Sequence, residues 1–281
     1  MVKKIIHTGD IHIHNYRRLD EYKIQLQKFI DKCKEIVSQY DPEEVRIVIA
    51  GDLVHSKTEL SPECYTLASW FLRQLDKICK TIVFAGNHDV SPNLSRLDPL
   101  SVIFSMSNFK QVYYLDKDLD YQSGVVEDDN IVWCLYSSFD NFMQPCILDT
   151  RDYHCRAGIN DEHVRYIALF HGDLKSAKTD VGYVSESGLE ANYFDVVDFG
   201  IFGHIHKRQC IKADGIPLAY CGSLIQQGFG ENLSCHGFLL WDVEEKTYEE
   251  IDIPNEDYGY YTFSINNLDD LNEDKEDIIN L

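Results

Sequence analysis

Long apolar runs, paired cysteines and positive charge are what this sequence has least of. No stretch of the 281 residues approaches the roughly 18 consecutive apolar residues of a spanning helix, which excludes a membrane-crossing helix. The start, Met1 to Asp10, carries a basic pair but no long apolar segment, and reads as a first strand and not as a signal peptide. The nine cysteines (Cys33, Cys64, Cys79, Cys134, Cys146, Cys155, Cys210, Cys221 and Cys235) are odd in number and scattered, with no Cys-x-x-Cys. Neither a structural zinc knot nor a disulfide scaffold is therefore expected, and an intracellular protein is. Lysine and arginine number 26 against 47 acids, a net charge of −21. The excess is greatest in residues 242–281, which hold 14 Asp and Glu against Lys246 and Lys275. Such a chain does not attract nucleic acid by bulk charge, so a polyanionic substrate would need metal ions or a basic partner.

What is present suffices for a core. A hydrophobic fraction of 44%, with 12% aromatic residues, excludes general disorder. The length suits one large α/β domain of about 250 residues with a short remainder. Lys3–Thr8, Val45–Ala50 and Thr81–Ala85 are short apolar strands. Between them, residues 22–40 repeat apolar side chains at helical spacing, and Ser61-Pro62 caps a second amphipathic helix. Further strands are expected at Val112–Leu115, Ile131–Leu135, Val164–Phe170, Val196–Phe202, Leu218–Cys221, Gly237–Val243 and Thr247–Ile253, while residues 137–163 give a mixed loop and helix signal. Early β-α-β alternation followed by strand-rich segments predicts an α/β fold, a four-layer α/β/β/α sandwich of two mixed sheets packed face to face with helices outside. Pro254-Asn255 divides a first domain, 1–254, from residues 255–281, where a strand (Tyr260–Ile265) and an acidic helix (Asp269–Ile279) are expected. That segment reads as the start of a capping domain or as a docked acidic appendage.

Five strand ends carry polar clusters: Asp10-x-His12, Gly51-Asp52, Gly86-Asn87-His88-Asp89, His171-Gly172 and Gly203-His204-x-His206. Ligands of open α/β sheets sit at the carboxyl ends of strands, so these clusters can converge on one rim. Carboxylate, imidazole and amide side chains suit borderline divalent ions such as Mn²⁺, Fe²⁺ or Zn²⁺. Asp10, His12, Asp52, Asn87, His171, His204 and His206 are too many for one ion, and suit two ions about 3.5–4 Å apart. No serine or cysteine nucleophile pattern competes with this reading.

The ordered set D-x-H, G-D, G-N-H-D, H and G-H-x-H resembles the calcineurin-type metallophosphoesterases. The resemblance implies one ion on Asp10, His12, Asp52 and His206. A second would lie on Asp52, Asn87, His171 and His204, with Asp52 shared. It implies His88 beside the scissile phosphate as the group that protonates the leaving oxygen, Asp89 as the acid that orients it, and water activated between the two ions as the nucleophile. Gly51-Asp52-Leu53-Val54-His55, the Gly86–Leu97 region, and Tyr220–Glu231 followed by His236-Gly237-Phe238 resemble more narrowly the nuclease subunit of the double-strand-break repair complex. The departures are Cys221 where proline is usual and His236 where lysine is common. This narrower likeness implies a Mn²⁺-dependent DNA nuclease, with 3′→5′ exonuclease activity on duplexes and endonuclease activity on single strands. It further implies His55 as a residue positioning the DNA end, a homodimer, and a coiled-coil, SMC-like ATPase partner. Arg17, Arg18, Lys175, Lys178, Lys207 and Arg208 are candidates for phosphate contacts, with ordinary solvated charge as the alternative for the two arginines after His12. His7, His14, His154, His163 and His236 read as packing or surface residues. Two other functions remain open: a phosphoesterase for small molecules or phosphoproteins, and a non-catalytic scaffold. The Asn, Asp, Lys and Ile usage points to an AT-rich genome, viral or bacterial.

Overall fold

Val45–Ala50 is buried along its whole length, as expected of a strand covered on both faces. It is β2 of a computed structural model that describes residues 1–90, 97–157, 162–255 and 257–261. Around it lie β1 (Lys4–Thr8), β3 (Thr81–Phe84) and β4 (Val112–Tyr114), paired parallel in the order β1-β2-β3-β4. β11 (Gly237–Asp242) and β12 (Thr247–Asp252) extend the sheet antiparallel beyond β1, giving β12-β11-β1-β2-β3-β4. The second sheet runs β5-β6-β7-β8-β10-β9. Its members are β5 (Gly124–Asp128), β6 (Ile131–Tyr136), β7 (Arg165–His171), β8 (Phe199–Gly203), β9 (Gln209–Ala213) and β10 (Ile216–Tyr220). Both sheets are mixed: the first is antiparallel only on its β11–β12 side, and the second has a parallel centre between two antiparallel edges.

Alternate side chains divide the core into three layers, because successive residues of a strand face opposite sides. Ile5, Val48, Ala50, Ile82 and Phe84 meet Trp133, Leu135, Ile167, Leu169 and Ile201 between the sheets. The outer face of the first sheet (Ile6, Ile47, Ile49, Val83) packs on α1 (Leu19–Val37), α2 (Pro62–Leu75) and α3 (Pro99–Ser105). The outer face of the second (Cys134, Tyr136, Phe170, Phe202, Tyr220) is covered by Ile147 of α5 (Ile147–Ala157), Phe194 and Leu174. A short α4 (Leu115–Asp118) follows β4. This is the expected α/β/β/α layering. Ser61 caps α2 as expected, its side chain accepting from Cys64 N, with Pro62 at the first helical position.

Two buried polar links tie the sheets. The His7 ring nitrogen Nε2 donates to the Phe202 carbonyl at 3.1 Å while Nδ1 accepts from Trp241 Nε1 at 3.3 Å, so the ring is neutral, and burial pushes its pKa down to about 3. At the far end, Arg46 of β2 makes two bonds to Asp128 of β5, at 2.8 and 3.0 Å. The two edge strands β5 and β9 and the helix α3 were not among the expected elements, α5 lies in the stretch expected as mixed loop and helix, and Leu115 begins α4 where a strand end was expected. Within the expected C-terminal strand, Tyr260 and Tyr261 carry no strand; its remainder and the acidic helix lie outside the described residues. No helix among the described residues is long and apolar enough to cross a membrane.

Candidate metal centre

Apolar strands end where backbone must turn, and here the turns carry the chemistry. Asp10 and His12 follow β1, Asp52 follows β2, Asn87 and His88 follow β3, His171 closes β7, and His204 and His206 follow β8. Asp10, His12, Asp52 and His204 all have positive φ (48°, 51°, 51° and 96°), a region that costs ordinary residues energy and collects at functional sites. Glycines make room. A Cβ on Gly86 would stand 2.2 Å from Asp52 Oδ1, and one on Gly203 would stand 2.0 Å from the Ala50 carbonyl oxygen. Hydrogen bonds from Asp10 N to Gly51 O (3.1 Å), His12 N to Asp52 O (2.8 Å) and Ile13 N to Leu53 O (3.0 Å) continue the β1–β2 pairing past the strands and hold the two loops together.

The structure brings all the expected ligands to one place. His12 Nε2 lies 3.0 Å from His206 Nε2, 3.4 Å from Asp52 Oδ2 and 4.0 Å from Asp10 Oδ1. His206 Nε2 lies 3.8 Å from Asp10 Oδ1. On the other side, His171 Nε2 lies 3.2 Å from both Asp52 Oδ2 and Asn87 Oδ1, and His204 Nδ1 lies 2.8 Å from the same Asn87 oxygen. Asp52 thus touches both groups.

The outward ring nitrogens of His171 and His206 are already committed. His171 Nδ1 donates to the Ala50 carbonyl at 2.8 Å, and His206 Nδ1 meets the Glu231 carboxylate at 2.7 Å. Such outer partners fix which nitrogen faces a metal. Asp10 and Asp52 are buried, and no lysine or arginine among the described residues pairs with either. Burial pushes the Asp10 carboxyl up to about 6. Asp52 is pushed up by burial too, but the facing His171 outweighs this and holds it below the ordinary carboxylate range; His171 is correspondingly raised, to about 10, by Asp52. Burial lowers His12 well below its ordinary value and His204 to about 4, leaving both neutral and able to ligate. Two buried carboxylates without a lysine or arginine partner, facing imidazole nitrogens and an amide oxygen, form a donor set that divalent cations fit.

His88 and His55 stand at the mouth of this cluster, their rings stacked at 4.8 Å. The His55 carbonyl lies 2.7 Å from His88 Nδ1. A carbonyl only accepts, so that nitrogen carries the proton and Nε2 is left for the site. Asp89, expected to orient His88, instead accepts from the backbone N–H groups of Gly86, Leu53 and Val54 at 3.0–3.4 Å. It ties the second and third loops together, and the His55 carbonyl takes the orienting role.

Three further residues belong to the site. His14, read from the sequence as a packing or surface histidine, stacks on His55 with ring centroids 3.9 Å apart. Glu231 and Gln227, inside the Tyr220–Glu231 stretch but given no role there, hold His206 and line the site respectively. The tell-tale for His14 was its spacing, a second i, i+2 step after Asp10-x-His12. Together His12, His14, Asp52, His55, Asn87, His88, His204, His206 and Gln227 line a depression of about 180 Å³.

The basic candidates are less available than their positions suggested. Arg18 is paired with Glu21 and lies over the Tyr260 ring. Lys175 is paired with Glu190, and Lys207 lies 3.8 Å from Asp180. The buried Arg208 side chain meets Asp252 at 2.8 Å and Glu250 at 3.3 Å. Arg17 and Lys178 are exposed.

Residues 3–208 match the calcineurin-like phosphoesterase family. The chain is 38% identical over 267 residues to "Uncharacterized protein R555" of Acanthamoeba polyphaga mimivirus, covering 94% of this chain and 19% of that protein. It therefore spans about a fifth of that relative. It is 25% identical over 242 residues to "Putative phosphoesterase 244L" of Invertebrate iridescent virus 6, covering 84% of this chain and 75% of that one. Among solved structures, an archaeal phosphodiesterase aligns over 88% of this chain and 98% of its own, at 15% identity and a TM-score of 0.39.

Proposed function

Since the chain belongs to the calcineurin-like phosphoesterase family and is a metal-dependent phosphoesterase, we propose that its substrate is a nucleic-acid phosphodiester and its working ion Mn²⁺. The reading is of a DNA nuclease of the double-strand-break repair type, cutting duplex ends 3′→5′ and single strands internally. One observation carries it: the His55–His88 stack at the open edge of the ligand cluster. A depression of about 180 Å³ with exposed His55 on its rim supports a substrate that extends beyond the phosphate held there.

Divalent ions held by Asp10, His12, Asp52, Asn87, His171, His204 and His206 would neutralise the phosphate and lower the pKa of water. The chain's own residues then do the following. His88, with Nδ1 fixed on the His55 carbonyl, presents Nε2 to the leaving oxygen and, when protonated, supplies its proton. His55 reaches for a phosphate oxygen. Ala50 and Glu231 hold the rings of His171 and His206 against rotation. Salt-bridged Lys175, Lys207 and Arg208 add little attraction for DNA, so an SMC-like ATPase partner and a second copy of the chain would supply the basic surface that a net charge of −21 lacks.

The test compares end-labelled duplex DNA, circular single-stranded DNA and a small chromogenic diester in Mn²⁺. Cleavage of both DNAs is expected. Turnover of the small ester alone would leave the second reading, a small-molecule phosphoesterase.

A further inference from the structure

The parallel bridge between Ile13 and Val54 has a consequence for the residues that follow it. Bridged residues in parallel strands point the same way, and so do their successors. The successors here are His14 and His55. Their rings meet at 3.9 Å, inclined by 33°, and the His55 ring continues to His88 at 4.8 Å and 28°. Three imidazoles therefore form a ladder from the first loop, across the second, to the third.

His14 is the rung furthest from the metal cluster. His55 is exposed, and its side chain accepts or donates no hydrogen bond among those of the described residues; ring stacking is what restrains it. The base under His14 is firm. Tyr22 Oη donates to the His12 carbonyl at 2.6 Å, and Gln227 Nε2 donates to the Ile11 carbonyl at 3.1 Å, so the backbone on which His14 stands is pinned from two sides. His55 N donates to the Ile13 carbonyl at 3.1 Å, which fixes the two residues relative to each other.

We propose that His14 is a positioning residue: its ring holds the His55 ring in the orientation that faces a substrate phosphate and keeps the stack on His88 closed. It does not touch the reacting atoms. The assignment rests on the phosphodiester chemistry proposed above but not on the nucleic-acid substrate, because any diester the protein hydrolyses can report it.

The experiment is a double-mutant cycle on kcat and KM with the best diester found: wild type, His14→Ala, His55→Ala and the double variant, with His14→Phe as the ring-preserving control. His14→Ala is expected to lower kcat about tenfold with KM little changed. His14→Phe should stay within about threefold of wild type, since a flat ring still stacks. In the His55→Ala background, His14→Ala should cost nothing further. An equal loss in both backgrounds, or a loss with phenylalanine as large as with alanine, would overturn the assignment. Metal content and melting temperature of the phenylalanine variant, expected unchanged, separate positioning from folding. A wild-type protein that turned over no diester would instead strike at the proposed function.

Discussion

Replacing Asp128 by alanine removes the acceptor for four donor groups on three residues. Arg46 of β2 binds it through Nε and Nη2 at 2.8 and 3.0 Å, Lys80 through Nζ at 2.8 Å, and Trp133 through Nε1 at 3.1 Å. Burial alone would raise the carboxyl, but the bonds from Arg46 and Lys80 outweigh it and hold its pKa at about 2, against an ordinary 3.8. At about 1.4 kcal/mol per pH unit, that gap corresponds to roughly 2.5 kcal/mol of stability at neutral pH. The alanine variant should lose somewhat more, about 3–5 kcal/mol, because the Arg46 guanidinium is left buried without its counter-charge. Lys80 is freer to turn to solvent, its side chain being 30% exposed against 4% for Arg46. In a chain of this size the melting temperature should fall by about 6–10 °C. A folded-state pKa below the unfolded one gives stability that is complete above pH 3.8 and is lost as pH falls through about 2. The difference between wild type and Asp128→Ala, read from urea melts at pH 7, 5, 3.5 and 2.5, should therefore hold steady and then shrink. A difference that stayed constant down to pH 2.5 would refute the charge argument and leave lost packing as the cause.

Three other outcomes are expected. His88→Ala should lower kcat by about 10²–10⁴ while retaining metal, measured by elemental analysis beside the rate. Asp52→Ala should lose metal as well as activity; a full metal complement in that variant would contradict the ligand set. Gly86→Ala should do the same without removing any ligand, because its Cβ would come 2.2 Å from Asp52 Oδ1, and a variant with wild-type metal content would show that the loop has slack.

How far the sequence could be read depended on burial. β2 and β7 are central and parallel, their apolar runs are uninterrupted, and each ends in the residues that carry the chemistry. β5 and β9 are edges, with only the final residue of each fully covered, so neither GVVED nor QCIKA has a periodicity strong enough to separate it from loop. α5 buries only Ile147 and His154, and its stripe is correspondingly faint. The ligands were legible because metal chemistry admits few residue types and the strand ends gave their positions. What was not legible depends on which loop lies beside which. Asp89 follows His88 in the chain, yet the fold turns its carboxylate to the backbone of another loop. His14 looks like a spare histidine until Ile13 is seen bridged to Val54.

The ligand set is shared out along the chain: Asp10, His12, Asp52 and Asn87 leave one sheet, and His171, His204 and His206 leave the other. Neither sheet by itself holds both halves of the ion-binding ring. The candidate ligands can meet only while the two sheets stay packed on each other, so the integrity of that shared interior, and not of either sheet alone, decides whether the cluster exists.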